Sequence, residues 1–243
     1  MKKLFYLMVV IAVLGLIVSG CSIPLKSVVP TSEKGNPKPE LGAPIIEKTT
    51  FVHYAKPNDR SKPVWDDTED DFKFIIGGIK WFNTISYKVN PSGSDLFETD
   101  VLNAIVESAT TWDSETSFSL YSSLITISTD NVVSGDGNNT VGWGSLDPGI
   151  IAVTYLWFNP ATKEIVEFDT VFNTYYTWST TGAYGAMDLQ NIATHEFGHN
   201  GLSDLRPPKD WALTMYGYSN FGDIDKRSLG TGDILGIKEL YGF

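Results

Sequence analysis

The segment His195-Glu196-Phe197-Gly198-His199 holds two imidazoles and a carboxylate at a spacing that can do metal chemistry. On an α-helix, residues four apart share a face about one turn apart, so both rings can meet a single ion. Zinc suits imidazole donors, and Glu196, rotated by about 100° from His195, can reach a water beside the ion and act as its general base. The chain has 3 histidines, and the remaining one, His53, is remote in sequence. The plainer reading is a surface helix whose two histidines make ordinary hydrogen bonds.

The metal reading requires a helix here, and the surroundings supply one. Asp188 can cap its N-terminus, which predicts a helix from about Asp188 to Asn200. An earlier helix is expected between Thr99 and Trp112, where Val101, Leu102, Ile105, Val106, Ala109 and Trp112 recur at helical spacing. A last one starts near Thr231 and places Ile234, Ile237, Leu240 and Tyr241 on its buried side. Strands are predicted in Phe72–Ile76, Ile85–Val89, Phe118–Ser128, Ile150–Phe158 and Ile165–Phe172, separated by Gly, Asn, Asp and Pro turns.

Over 243 residues, 42% hydrophobic and 19% charged residues fit one globular domain with a tail. Eighteen Lys and Arg against 29 Asp and Glu give a net charge of -11, which excludes a basic nucleic-acid footprint. The single cysteine, Cys21, excludes an internal disulfide and a four-cysteine zinc module. Lys2 and Lys3 precede an uncharged, mostly apolar run from Leu4 to Val18, which reads as a signal segment rather than part of the fold. Residues 22–50 contain Pro24, Pro30, Pro37, Pro39 and Pro44 without a sustained hydrophobic period, so residues 21–71 are expected to be a tether and N-terminal extension. The folded domain is expected over residues 72–243.

Thr194 to Asp204 resembles the extended zinc motif of the metzincins, and Ala212-Leu213-Thr214-Met215-Tyr216-Gly217 resembles their Met-turn. The resemblance is closest to the matrixins, the matrix metalloprotease family, from about Trp81 to Phe243. Gly149 to Thr154 resembles that family's edge strand beside the substrate, and Asp233 to Gly242 its closing helix. The resemblance implies an α+β metzincin-like zinc protease domain, a twisted mixed sheet with three main helices. It makes His195, His199 and, after a one-residue shortening, Asp204 ligands of one catalytic Zn2+, Glu196 the base and Met215 the apolar floor. It gives Ile151, Ala152, Val153 and Thr154 the role of an open edge that pairs with an extended peptide.

The departures from the matrixin pattern are specific. Only Asn200 separates His199 from Gly201, where the family has two residues, and Asp204 stands in place of a third histidine. Gly201 is expected to take a positive φ and end the helix early. Val153 stands where the edge strand would supply a histidine to a structural zinc, so that second zinc is expected to be missing. With no cysteine beyond Cys21, latency by a cysteine switch is excluded, leaving constitutive activity or another block from residues 51–80. Asp130, Asp136, Asp147 and Asp169 could add a Ca2+ site.

Val18-Ser19-Gly20-Cys21 resembles the lipobox of prokaryotic lipoproteins. That resemblance implies cleavage before Cys21, lipidation of its thiol, and an extracytoplasmic, membrane-anchored protein. Losing residues 1–20 removes two lysines and no acids, leaving -13. The combined expectation is a lipid-anchored zinc endopeptidase acting on protein or peptide substrates. The alternatives are a catalytically weak zinc- or peptide-binding lipoprotein and a surface protein without metal.

Overall fold

The computed structural model describes residues 45–56, 70–132, 135–206 and 210–242. The signal segment, Cys21 and all but the end of the proline-rich stretch therefore lie outside the described residues. The strands are β1 (Glu47–Ala55), β2 (Lys88–Val89), β3 (Thr126–Ile127), β4 (Thr140–Gly144), β5 (Ile150–Asn159), β6 (Glu164–Asn173), β7 (Trp178–Ser179), β8 (Met187–Asp188) and β9 (Tyr218–Ser219). The helices are α1 (Glu98–Asp113), α2 (Leu189–Gly198) and α3 (Thr231–Tyr241).

Among the described residues, seven strands form one mixed sheet in the order β3-β2-β4-β6-β5-β1-β9, and β7 pairs with β8 separately. β2, β3, β4 and β6 run parallel, β5 is antiparallel to β6, and β1 is antiparallel to β5. The three helices and mixed sheet agree with the expected α+β class. Several predicted strands shrink. Phe118–Ser128 contributes only β3 and a bridge at Tyr121, and Phe72–Ile76 only a bridge from Phe74 to Leu202.

The larger correction lies at the N-terminus. β1 falls inside the stretch expected to be tether, and the folded unit begins near Pro44 rather than at residue 72. Its sequence, Glu-Lys-Thr-Thr-Phe-Val-His-Tyr-Ala, is rich in the β-branched and aromatic residues that suit a pleated surface.

α1 carries Glu98 and Asp100 in its first turn, where negative charge complements the helix dipole. It buries Val101, Ala104, Ile105, Ser108, Ala109 and Trp112, while Leu102 and Val106 are half-buried. Trp112 is fully buried, and its indole N–H donates to Thr194 O at 2.7 Å, clamping α1 onto α2. α2 reaches the sheet through Phe197, whose ring meets Phe168 of β6 at 5.8 Å and Tyr87 at 5.4 Å. Burying such a ring is worth roughly 1.5–3 kcal/mol, so the helix that carries the histidines rests on the centre of the core.

Candidate active site

Asp188 caps α2 as expected, its Oδ1 accepting from Asn191 N–H at 3.0 Å, and Arg227 braces the same carboxylate at 2.8 Å. The helix brings the two rings together, with His195 and His199 centroids 4.9 Å apart and nearly perpendicular. His195 Nδ1 lies 2.7 Å from Thr214 O, and His199 Nδ1 lies 3.0 Å from Leu202 O. A carbonyl only accepts, so each Nδ1 carries the hydrogen and each Nε2 keeps a bare lone pair. Burial lowers both pKa values, that of His195 to about 3, which keeps the rings neutral.

Asp204 Oδ1 points at those lone pairs, 3.2 Å from His195 Nε2 and 3.6 Å from His199 Nε2, while Arg206 holds Oδ2 at 3.0 Å. Burial opposes ionisation of Asp204, yet its pKa lies below the usual carboxylate range, with the Arg206 guanidinium on Oδ2 favouring the anion. The two Nε2 atoms and Oδ1 are buried and make no hydrogen bond, although all three lie within 4.8 Å of one another. Buried polar atoms are ordinarily paired. Three that converge without partners, two imidazole and one carboxylate, suit a divalent cation such as zinc.

The shortened motif delivers Asp204 by a route other than the expected one. Gly201 is absent from the positive-φ residues, and α2 ends at Gly198 with His199 still helical as its C-cap. Gly201 is needed for space: a Cβ there would lie 2.8 Å from Leu240 Cδ1 and 3.2 Å from Tyr241 on α3. Beyond it, Ser203 N–H donates to Lys73 O at 2.7 Å and Leu205 N–H to Met215 O at 2.8 Å, so backbone bonds steer Asp204 beneath the rings.

The turn around Met215 is held by Asp233, a buried carboxylate accepting from the N–H groups of Thr214 (2.7 Å), Met215 (3.1 Å) and Gly230 (3.0 Å). Met215 itself is buried against Gly198, whose missing Cβ makes room for the thioether. This one turn thus supplies both the floor of the cluster and the carbonyl that orients His195.

Glu196 is fully buried. Its Oε2 accepts from Thr154 Oγ1 at 2.6 Å, and its Oε1 lies 3.1 Å from His53 Nδ1. Burial pushes its pKa up to about 8 against the opposing Thr154 bond, so the carboxyl can both hold and release a proton near neutral pH. His53 Nε2 sits 3.0 Å from Ser219 Oγ and 3.4 Å from Lys226 Nζ. With the hydrogen on Nδ1, His53 donates to Glu196 and its Nε2 accepts from Ser219 and the Lys226 ammonium.

The expected open edge is not open. β5 lies between β6 and β1, in a register that runs from Glu47 opposite Phe158 through His53 opposite Ala152 to Tyr54 opposite Ile150. Ile151, Ala152, Val153 and Thr154 are all buried, and the Thr154 hydroxyl is turned to Glu196 rather than to solvent. β1 also lays Phe51 on His199, stacked at 4.1 Å, and His53 on His195 at 3.9 Å.

The family model of the matrixins matches residues 80–242. A hatching enzyme from Paracentrotus lividus is 30% identical over 184 residues, covering 71% of this chain and 28% of that enzyme. The chain is a matrixin. It spans little more than a quarter of the hatching enzyme's length.

In this matrixin His195, Glu196 and His199, singled out from their spacing, and Asp204 and Met215, implied by the resemblance, meet at one place. Among the described residues, only His53-His195-Glu196 and His195-His199-Asp204 form groups of three or more ligand-type side chains. Asp130, Asp136, Asp147 and Asp169 are not drawn into such a group. Sequence reasoning missed three members of the site: His53, the Thr154 hydroxyl and Asp233. The first had a signal in the alternating β-type run Thr49 to Tyr54, which carries one of only 3 histidines. The other two depend on contacts between residues distant in sequence.

Proposed function

We propose that this matrixin is a zinc-dependent endopeptidase, with His195, His199 and Asp204 as metal ligands and Glu196 as general base. The observation that carries the reading is the convergence of three unpartnered, buried ligand atoms beside a buried carboxyl of raised pKa. Zinc held there would acidify a water and polarise the scissile carbonyl. Glu196 takes the proton of the attacking water and returns it to the leaving nitrogen; Thr154 keeps Oε2 fixed, which leaves Oε1, held by His53 in this structure, as the oxygen for that proton. Thr214 O and Leu202 O hold the two imidazoles in the metal-binding tautomer.

The test measures zinc content and peptide hydrolysis, with His53 present and with His53→Ala because that ring occupies Glu196 Oε1. Glu196→Gln should keep about one zinc per chain and lose two or more orders of magnitude in turnover. Undiminished turnover in Glu196→Gln would overturn the assignment. The cover laid by β1 favours a second reading, a weakly catalytic binder, which requires that hydrolysis stay negligible in every zinc-loaded variant.

The N-terminal sequence supports an extracytoplasmic location with a lipid on Cys21. Cys21→Ser should shift the protein out of the membrane fraction or leave it unprocessed, and an unchanged distribution would refute the anchor.

A further inference from the structure

We infer that β1 is a built-in inhibitory strand that occupies the peptide channel of its own active site, with His53 as the plug on Glu196. The inference rests on the endopeptidase reading and names its regulation.

Main-chain pairing is the first support. The C-terminal end of β1 is threaded between two walls, with Ala55 N–H donating to Gly149 O at 2.9 Å ahead of β5, and Tyr54 N–H to Gly217 O at 3.3 Å and Lys56 N–H to Ser219 O at 2.9 Å at β9. β1 runs antiparallel to β5 and parallel to β9. Extended peptides are recognised by this kind of strand addition, and a ladder already formed cannot accept a second strand. With β1 in place, a substrate backbone has no access to β5 where it passes the histidines.

The side chains are the second support. Inward-facing Phe51 and His53 cover the two rings of the metal-ligand pair, and His53 is fully buried. Its Nδ1–H takes Oε1 of Glu196, the oxygen left free by Thr154. Its Nε2 is fixed by Ser219 and Lys226, so the ring is gripped at both nitrogens. The base thus has both oxygens engaged while β1 is docked.

The third support is placement along the chain. β1 lies outside residues 80–242, which match the matrixin family, yet it is docked on residues inside that span. A strand tethered in the same chain competes at an effective concentration of about millimolar, so a free peptide at micromolar concentration is excluded. The block needs no cysteine, consistent with a chain whose single cysteine is at position 21.

The experiment uses the full-length, zinc-loaded chain and two substitutions that act differently. Ala55 N–H points to the β5 side, and the register shift between His53 and Tyr54 skips Ile151 of β5 while leaving β1 continuous, so by alternation Thr49 N–H also faces β5, and Thr49→Pro removes a ladder donor without altering Phe51 or His53. His53→Ala removes the plug and leaves the ladder. One readout is kcat/KM on a mixed fluorogenic peptide pool. The other is amide hydrogen exchange across Ile150–Asn159, which does not depend on turnover. Both variants should exceed the wild type at least tenfold in kcat/KM, and Thr49→Pro should also exchange faster in β5. A synthetic peptide of residues 45–56, added in trans, should restore both inhibition and protection, and its His53→Ala form should inhibit less. If Thr49→Pro fails to fold, His53→Ala and the trans peptide still decide. A wild type already as active as the variants, or variants that expose β5 without gaining activity over an active wild type, would overturn the inhibitory role alone. Zinc-loaded chains that never hydrolyse peptide, wild type and variants alike, would take the endopeptidase reading down with it.

Discussion

Replacing Asp233 tests whether the turn beneath the cluster is held by one carboxylate. Asp233 is buried and accepts three backbone N–H groups, those of Thr214, Met215 and Gly230. In Asp233→Ala all three donors lose their acceptor, and each buried donor left unpaired costs about 1–3 kcal/mol. Removing the carboxylate also relieves its own burial, which raises its pKa despite those bonds. The net loss should therefore fall near the low end of the sum, about 3–5 kcal/mol in chemical denaturation of the metal-free protein. Asp233→Asn offers a calibration, because its amide oxygen can replace Oδ2, the acceptor for Thr214 and Gly230, and loses mainly the Met215 bond, so about a third to a half of the destabilisation is expected. The same turn supplies Thr214 O, which orients His195, so zinc affinity should drop about 10- to 100-fold in Asp233→Ala. A loss below about 1 kcal/mol at an unchanged denaturant slope would refute the account of the turn. Unaltered zinc affinity in a strongly destabilised variant would refute its role in positioning His195.

Two further outcomes follow from burial. In Gly198→Ala the new Cβ would overlap Met215 Sδ and lie 2.5 Å from Trp112 Cζ2, so a loss of about 3 kcal/mol or more is expected, with weakened zinc retention by metal analysis; a variant of wild-type stability would show that the thioether moves freely. Lys226 is fully buried, contacts Tyr216 O and His53, and has its pKa lowered to about 7 by burial. The unfolded chain binds more protons than the folded one between pH 7 and 10.5, so this lysine makes stability rise with pH across that window and destabilises below it. Lys226→Met should remove a rise of roughly 3–5 kcal/mol relative to wild type, measured as denaturation midpoints at pH 7 and 10.5; parallel profiles would mean that the ammonium is solvated.

The parts of this site that were legible are those whose geometry is set within a few residues. His195 and His199 share a face because a helix turns every 3.6 residues, and Asp188 caps that helix through Asn191, three positions away. The position of Asp204 was legible only as a possibility, because what carries it beneath the rings is pairing with Lys73 and Met215 in other parts of the chain. Gly201 illustrates the difference. A glycine after a helix is ordinarily read as a backbone requirement, yet here the need comes from α3 packed where a Cβ would stand. The edge at β5 failed for the same kind of reason. Its alternation and its family resemblance identify a strand beside the histidines but cannot say that its free side is taken. An exposed row of N–H and C=O groups is a template for any extended segment of suitable side chains, and residues 47–55 are such a segment, about 100 positions upstream of their partners. The element that covers the site was thus the one furthest from local pattern. The contacts made by His53 and Phe51 fall on the residues proposed to do the chemistry, so docking the strand and covering the site are one event.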